Sequence, residues 1–142
     1  MTYVVDNLGI SALIAEEVSR VAAAAYADDG TSLYDSVAIH SRDTDTLSRL
    51  IDDAVSGIAR RAADICTVIP SPLALSFYVP DFDDSKETIV ENALSRSISL
   101  IACAAWMRDK LPSRAAEFTD RANASLNVAI GLLKTRITPT RL

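Results

Sequence analysis

The sequence predicts an all-α protein: a bundle of about four helices with a Pro-rich linker that contains a short strand-like segment, and an extended C-terminal arm. Two observations support this class. Alanine is abundant, whereas glycine, proline and aromatic residues are scarce, which favours packed helices over a sandwich of short strands. Several long segments also repeat apolar residues at spacings of three and four, the period of a helix with one buried face. At 142 residues, one domain is expected over 1–142. It comprises an N-terminal helix in 1–30, core helices in 43–136 and an arm in 137–142.

The first helix is predicted from about Ile10 to Asp28, and Gly30 is expected to end it. The side chains assigned to its buried face are Ile10, Leu13, Ile14, Val18, Val21 and Ala25. The next segment, GTSLYDSVAIHSRD, has no sustained period and is predicted as a loop with a short extended piece from Ser36 to Ile39.

The second helix is predicted to begin at Asp43 or Thr44, either of which can cap the free N–H groups, and to reach about residue 66. Its apolar stripe is continuous and comprises Leu47, Leu50, Ile51, Ala54, Val55, Ile58, Ala62 and Ile65. Three prolines then exclude a helix interior, so the linker has room for at most one short strand or hairpin arm, around SFYV.

The third helix is predicted to open at Asp84, because Glu87 three residues later completes a capping-box pattern, and to reach about Lys110. Ile89, Ala93 and Ile98 are assigned inward. The segment LIACAAWM at 100–107 is apolar on every side and must be covered all round, by helices two and four and by either the first helix or a second copy of the chain. The indole N–H of Trp106 requires a hydrogen-bond partner.

The fourth helix is predicted from a cap at Ser113 to about Arg136, antiparallel to the third because the break between them is short. Its stripe comprises Ala115, Phe118, Ala122, Leu126, Ala129, Ile130, Leu133 and Ile137. The basic residues that follow have two readings. They either suit the helix dipole at a frayed terminus or form an extended arm with apolar anchors that docks on a partner. The arm residues are Lys134, Arg136, Ile137, Thr138, Pro139, Thr140, Arg141 and Leu142.

The charge distribution excludes some partners. The net charge is -5, and residues 1–41 carry six acids against Arg20 alone. Firm binding to nucleic acid needs clustered cations, so any contact with DNA is expected to be passing. No apolar run is long enough for a membrane span, and the first residues lack the basic region of a signal peptide. We therefore expect synthesis in a cytoplasm and no membrane partner.

The sequence offers little catalytic or metal-binding chemistry. His40 is the single histidine and falls in a polar loop, so no His-based triad or zinc site is expected. Cys66 and Cys103 lie in apolar patterns that favour buried free thiols over a disulfide. The acids of PDFDDSKE lack the spacing of a calcium loop and are better explained by helix capping. We expect no enzyme, no metal and no cofactor.

Three stretches in order, DTDTLSRLIDDAVSGIARRAADI, SPLALSFYVPDF and ETIVENALSRSISLIACAAWMRD, resemble the head-tail connector, or adaptor, proteins of tailed bacteriophages over about residues 43–136. The resemblance is one of layout: an amphipathic helix, a Pro-bounded linker, and a helix that closes on an aromatic residue and an arginine. It implies a small helical subunit in a ring of about twelve copies that joins the portal vertex to the tail or stopper proteins in the virion neck. It also implies that Lys134 to Leu142 reach the portal or a neighbouring subunit. The additional N-terminal helix departs from the smallest adaptors.

A second interpretation belongs to a different class. The chain could instead be a small helical binding module that sequesters one protein partner, in the manner of an antitoxin, immunity or regulatory protein. If the chain is an adaptor, it should form a ring, and binding of its partners should require the arm. If it is a sequestering module, it should form a one-to-one or two-to-two complex, and the arm should be dispensable.

Overall fold

Helices dominate the computed structural model, which describes residues 1–134, and a small sheet accompanies them. The elements in chain order are β1 (Thr2–Val4), α1 (Asn7–Ala23), α2 (Tyr34–Val37), α3 (Thr44–Arg61), β2 (Cys66–Pro70), β3 (Leu73–Phe77), α4 (Glu87–Met107) and α5 (Pro112–Leu133). The predicted helical class is therefore confirmed for the four long helices, but it omitted the sheet. The predicted end of the last helix at Arg136 and the arm at 137–142 lie outside the described residues.

Helix α4 lies between the other long helices and contacts α1, α3 and α5. Within the all-apolar segment, Leu100, Ala102, Cys103, Ala104 and Met107 are buried. Ile101, Ala105 and Trp106 are half-buried. Helix α1 therefore supplies cover that α3 and α5 leave open, and no residue of the segment is fully exposed in the single chain. The small side chains at 102–104 allow this close packing.

The end of α4 is fixed by a hydrogen bond that the sequence anticipated. The Trp106 indole N–H donates to the carbonyl oxygen of Val37 at 2.7 Å. Val37 belongs to α2, where a short extended piece was predicted, and that prediction is wrong because residues 34–37 form one helical turn. Ala38, the residue that follows, has extended backbone angles.

The sheet is antiparallel with the strand order β1-β3-β2. Tyr3 pairs with Leu75, and Val68 pairs with Leu75 from the other side. The Ser71-Pro72 peptide bond is cis and joins β2 to β3. The prediction of at most one strand in the linker is wrong because Pro70 is the last residue of the edge strand β2, Pro72 lies in the turn and Pro80 lies beyond β3. At these positions a missing N–H is tolerated.

Helix α1 begins and ends earlier than predicted. Asp6 precedes it, and its carboxylate accepts a hydrogen bond from the Gly9 N–H at 3.0 Å. After Ala23 the chain turns into a small antiparallel bridge between Tyr26 and Ser32. Gly30 has a φ of 86°, which suits glycine, but it sits in the turn of this bridge and not at the helix end.

The other helix ends also shift. Helix α3 stops at Arg61, short of residue 66, because Cys66 already pairs in the sheet. Asp83, and not Asp84, caps the 3-10 turn before α4, since its carboxylate accepts from the Ser85 N–H at 3.1 Å. Helix α4 ends at Met107 instead of Lys110. Helix α5 starts at Pro112, and Ser113 makes no capping bond.

Most predicted core positions are buried, with two clear exceptions. Ile89 of α4 is 55% exposed and Leu13 of α1 is 43% exposed, although both were assigned to buried faces. Each lies at the border of an apolar face, where periodicity gives the direction of a side chain but not whether a neighbour reaches it. None of the helices in residues 1–134 combines the length and apolarity needed to cross a membrane.

Candidate functional site

An open groove of about 720 Å³ lies where α1, α4 and α5 meet, and we call it the main groove. Ala93 and Leu100 of α4 line it, together with Leu13 of α1 and Ala124 and Val128 of α5. Small side chains on α4 and α5 leave this space between the helices. Ser125 stays close to the α4 backbone, where its hydroxyl donates to the Ala93 carbonyl oxygen at 3.1 Å.

Apolar side chains form part of the walls of the main groove and reach solvent. Leu13 is 43% exposed and Val128 is 55% exposed, so apolar surface on α1 and on α5 borders the same depression. Exposed apolar side chains that rim a groove are typical of surfaces that bind another protein.

Charged side chains also line the main groove. Glu17 of α1 and Arg121 of α5 approach to 3.8 Å and link the two walls. Arg96 of α4 is exposed, and within residues 1–134 it makes no ion pair. An unpaired guanidinium beside apolar walls suits a partner that brings a carboxylate.

A second groove, of about 350 Å³, lies at the C-terminal end of α5, and we call it the C-terminal groove. Tyr78, Phe82 and Leu133 contribute apolar surface to it, and Asp64 and Lys134 form part of its edge. The Lys134 ammonium lies 3.3 Å from an Asp64 carboxylate oxygen, which ties the end of α5 to the segment after α3.

The structure locates one residue of the predicted docking arm, Lys134, at this second groove. The other arm residues, Arg136, Ile137, Thr138, Pro139, Thr140, Arg141 and Leu142, lie outside the described residues. The structure therefore places the root of the arm and leaves its docking role a prediction.

Both cysteines are buried free thiols, as predicted. Burial raises the pKa of the Cys66 thiol to about 11 and that of the Cys103 thiol to about 12. Both are therefore protonated and poorly nucleophilic near neutral pH. Cys66 lies in β2 and not in a helix, which corrects the helical pattern assigned around it.

The remaining polar residues singled out in the sequence have structural contacts. His40 is half-buried, and its Nε2 lies 3.0 Å from the Asp35 carbonyl oxygen. Asp83 acts as a cap, and hydrogen bonds from Ser85 hold the pKa of its carboxyl below the usual value. Among residues 1–134, no three His, Cys, Asp or Glu side chains converge as metal ligands would.

Sequence reasoning missed the two grooves and the aromatic side chain at the second one. Tyr78 is 79% exposed, although SFYV was interpreted as part of a strand. Pro80, two residues later, was the available signal, since it favours a chain leaving the sheet at this point. Leu8, which is 86% exposed, was not singled out either.

Comparison with protein-family models, curated proteins and solved structures finds no match for this chain.

Proposed function

We propose that this chain is a non-enzymatic structural subunit, a head-tail connector of a tailed phage or prophage particle. Copies of it would form a ring that joins the portal to the tail or stopper proteins and lets DNA pass. The observation that carries the binding role is the main groove, with Leu13 and Val128 exposed on opposite walls. The more specific connector role is supported by the resemblance in layout over residues 43–136.

A ring requires two different surfaces on each subunit, because head-to-tail contacts close into cycles. We propose that the main groove is one of them and that a second copy of the chain occupies it. Arg96, which has no ion-pair partner in the described part of the chain, is complementary to the acidic N-terminal part of a neighbour, where residues 1–41 carry six acids and one base. Asp28 and Asp29 in that part lie on an exposed turn, so they are available to such a neighbour.

The net charge of -5 also suits a protein that DNA passes without binding. Such a subunit would be made in the cytoplasm of a bacterial host and end in the neck of the virion. No cofactor is needed for this role.

The test compares two variants on the same helix by light scattering after size-exclusion chromatography and by pull-down from the producing culture. Leu13→Asp places a charge in the main groove, whereas Leu8→Asp changes an exposed leucine that does not line it. We expect the wild type and Leu8→Asp to form large assemblies and to recover portal-like and tail-like proteins. Leu13→Asp should remain a monomer. Equal assembly by both variants would contradict the role of the groove.

The same groove also favours the second candidate function, a module that sequesters one protein partner. An apolar cleft of this kind accepts a single helix as readily as it accepts a neighbouring subunit. Recovery of one small partner in a one-to-one or two-to-two complex, unchanged when the chain is cut after Lys134, would favour this alternative over the connector.

A further inference from the structure

We infer that the C-terminal groove is the docking site of residues 135–142 of the same chain. The first reason is position. Lys134 is the last described residue and itself lines this groove, so the chain leaves α5 at the groove edge. A trans peptide chain advances at most about 3.6 Å per residue, which puts Ile137 within roughly 11 Å of Lys134.

The apolar surfaces match. Tyr78 is 79% exposed at the groove, and Phe82 and Leu133 lie beneath it as part of the core. When an aliphatic side chain covers an aromatic ring that is this exposed to water, the burial of apolar surface lowers the free energy. Residues 135–142 supply Ile137, with a second aliphatic residue at 142.

The charges match as well. Asp64 and Asp81 line the groove, and among residues 1–134 Lys134 is the one cation that lines it. Residues 135–142 contain Arg136 and Arg141 and no acid. Lys134, the residue just before this segment, already forms an ion pair with Asp64 of the groove. Further cations from the segment would meet acids of the same groove.

Attachment favours the chain's own segment over that of a neighbour. A segment tethered at the edge of its site has an effective concentration in the millimolar range or above, which a separate molecule at micromolar concentration does not match. This inference concerns the isolated subunit and does not depend on the proposed function. If both hold, the arm is stored in its own groove and must leave it to reach a portal or a neighbour.

Limited trypsin digestion of the full-length protein tests the packing, because cleavage after Arg136 requires the segment to leave the groove. Tyr78→Asp should accelerate that cleavage by about fivefold or more, since cleavage rate follows the open population. Leu8→Asp is the matched control, because Leu8 is also highly exposed but lies outside the groove. Both replaced side chains are exposed, so both variants should fold. Equal cleavage rates in Tyr78→Asp, Leu8→Asp and wild type would overturn the inference.

Engineered cysteines then distinguish docking of the segment in its own chain's groove from docking in the groove of a neighbouring molecule. Pro80 is exposed and lines the groove, so Pro80→Cys combined with Thr138→Cys should form an intramolecular disulfide under oxidised glutathione, at a rate independent of protein concentration. The control pairs Thr138→Cys with Ser113→Cys, about 31 Å from Lys134 along α5 and out of reach. The native thiols should not interfere, because both are buried. A disulfide-linked dimer that increases with concentration, or no disulfide above the control, would overturn the inference.

Discussion

Replacing Ile98 with alanine should destabilise the protein strongly, whereas the same replacement at Ile89 should not. The two isoleucines lie on α4, nine positions apart, and periodicity assigned both to the buried face. In the structure Ile98 is fully buried and Ile89 is 55% exposed. The pair therefore separates what helical periodicity predicts from what tertiary packing decides.

The magnitude follows from burial. Removing three buried carbons from Ile98 loses their transfer free energy and leaves a cavity, which together cost about 2–5 kcal/mol. Ile98→Val removes one carbon and should cost about 0.5–1.5 kcal/mol. Ile89→Ala gains helix propensity and loses little burial, so its change should fall within about 0.5 kcal/mol of zero.

Urea unfolding monitored by far-UV circular dichroism and by the single tryptophan measures all three variants. With a urea slope of about 1.5 kcal/mol per molar, a loss of 3 kcal/mol lowers the midpoint by about 2 M. Midpoints for Ile89→Ala and Ile98→Ala that shift equally would refute the packing of α4 described above. A shift for Ile98→Val as large as that for Ile98→Ala would refute the cavity argument.

Three further predictions concern Trp106, Cys103 and Arg61. Trp106→Phe leaves the Val37 carbonyl oxygen without its 2.7 Å donor and should lower the free energy of unfolding by about 1–2 kcal/mol, measured by circular dichroism. The raised pKa of Cys103 stabilises the fold below the ordinary thiol pKa of 9.0, and this contribution should be lost as pH rises toward about 12. The stability advantage of wild type over Cys103→Ala should therefore shrink from pH 8 to pH 11, and a constant difference would contradict the assigned pKa. Arg61 donates hydrogen bonds to two asparagines of α5 from an exposed position, so Arg61→Ala should cost only about 0.5–1 kcal/mol in urea unfolding, and a larger loss would indicate a buried role.

The long helices could be predicted because the apolar residues within each of them are spaced at the helical period. In α3, the stripe from Leu47 to Ile58 repeats at the helical period and is buried or half-buried throughout. In α5, the stripe from Ala115 to Leu133 behaves in the same way. This pattern is local: it needs only the spacing of apolar residues along one segment. The buried state of Cys103 was predictable for the same reason, and the need of Trp106 for a partner follows from its indole N–H.

The sheet and both grooves could not be predicted because they depend on contacts between distant parts of the chain. Strand β1 has three residues and pairs with β3, whose partner residues lie 70 to 74 positions later in the chain. The main groove exists because small residues of α4 and α5 meet α1, and no single segment contains that information. The arm was visible as a basic, Pro-containing segment, but the groove at its root was not.

The sequence alone was enough to predict the four long helices and their apolar faces, and to assign the net negative charge to residues 1–41. Local spacing and composition are sufficient for these properties. Tertiary structure decided that α1 covers the apolar segment of α4, that Leu13 and Ile89 remain in solvent, and that Lys134 lies against Asp64. These outcomes depend on which side chains of one element contact the next element, and those contacts are defined only when all the elements pack together.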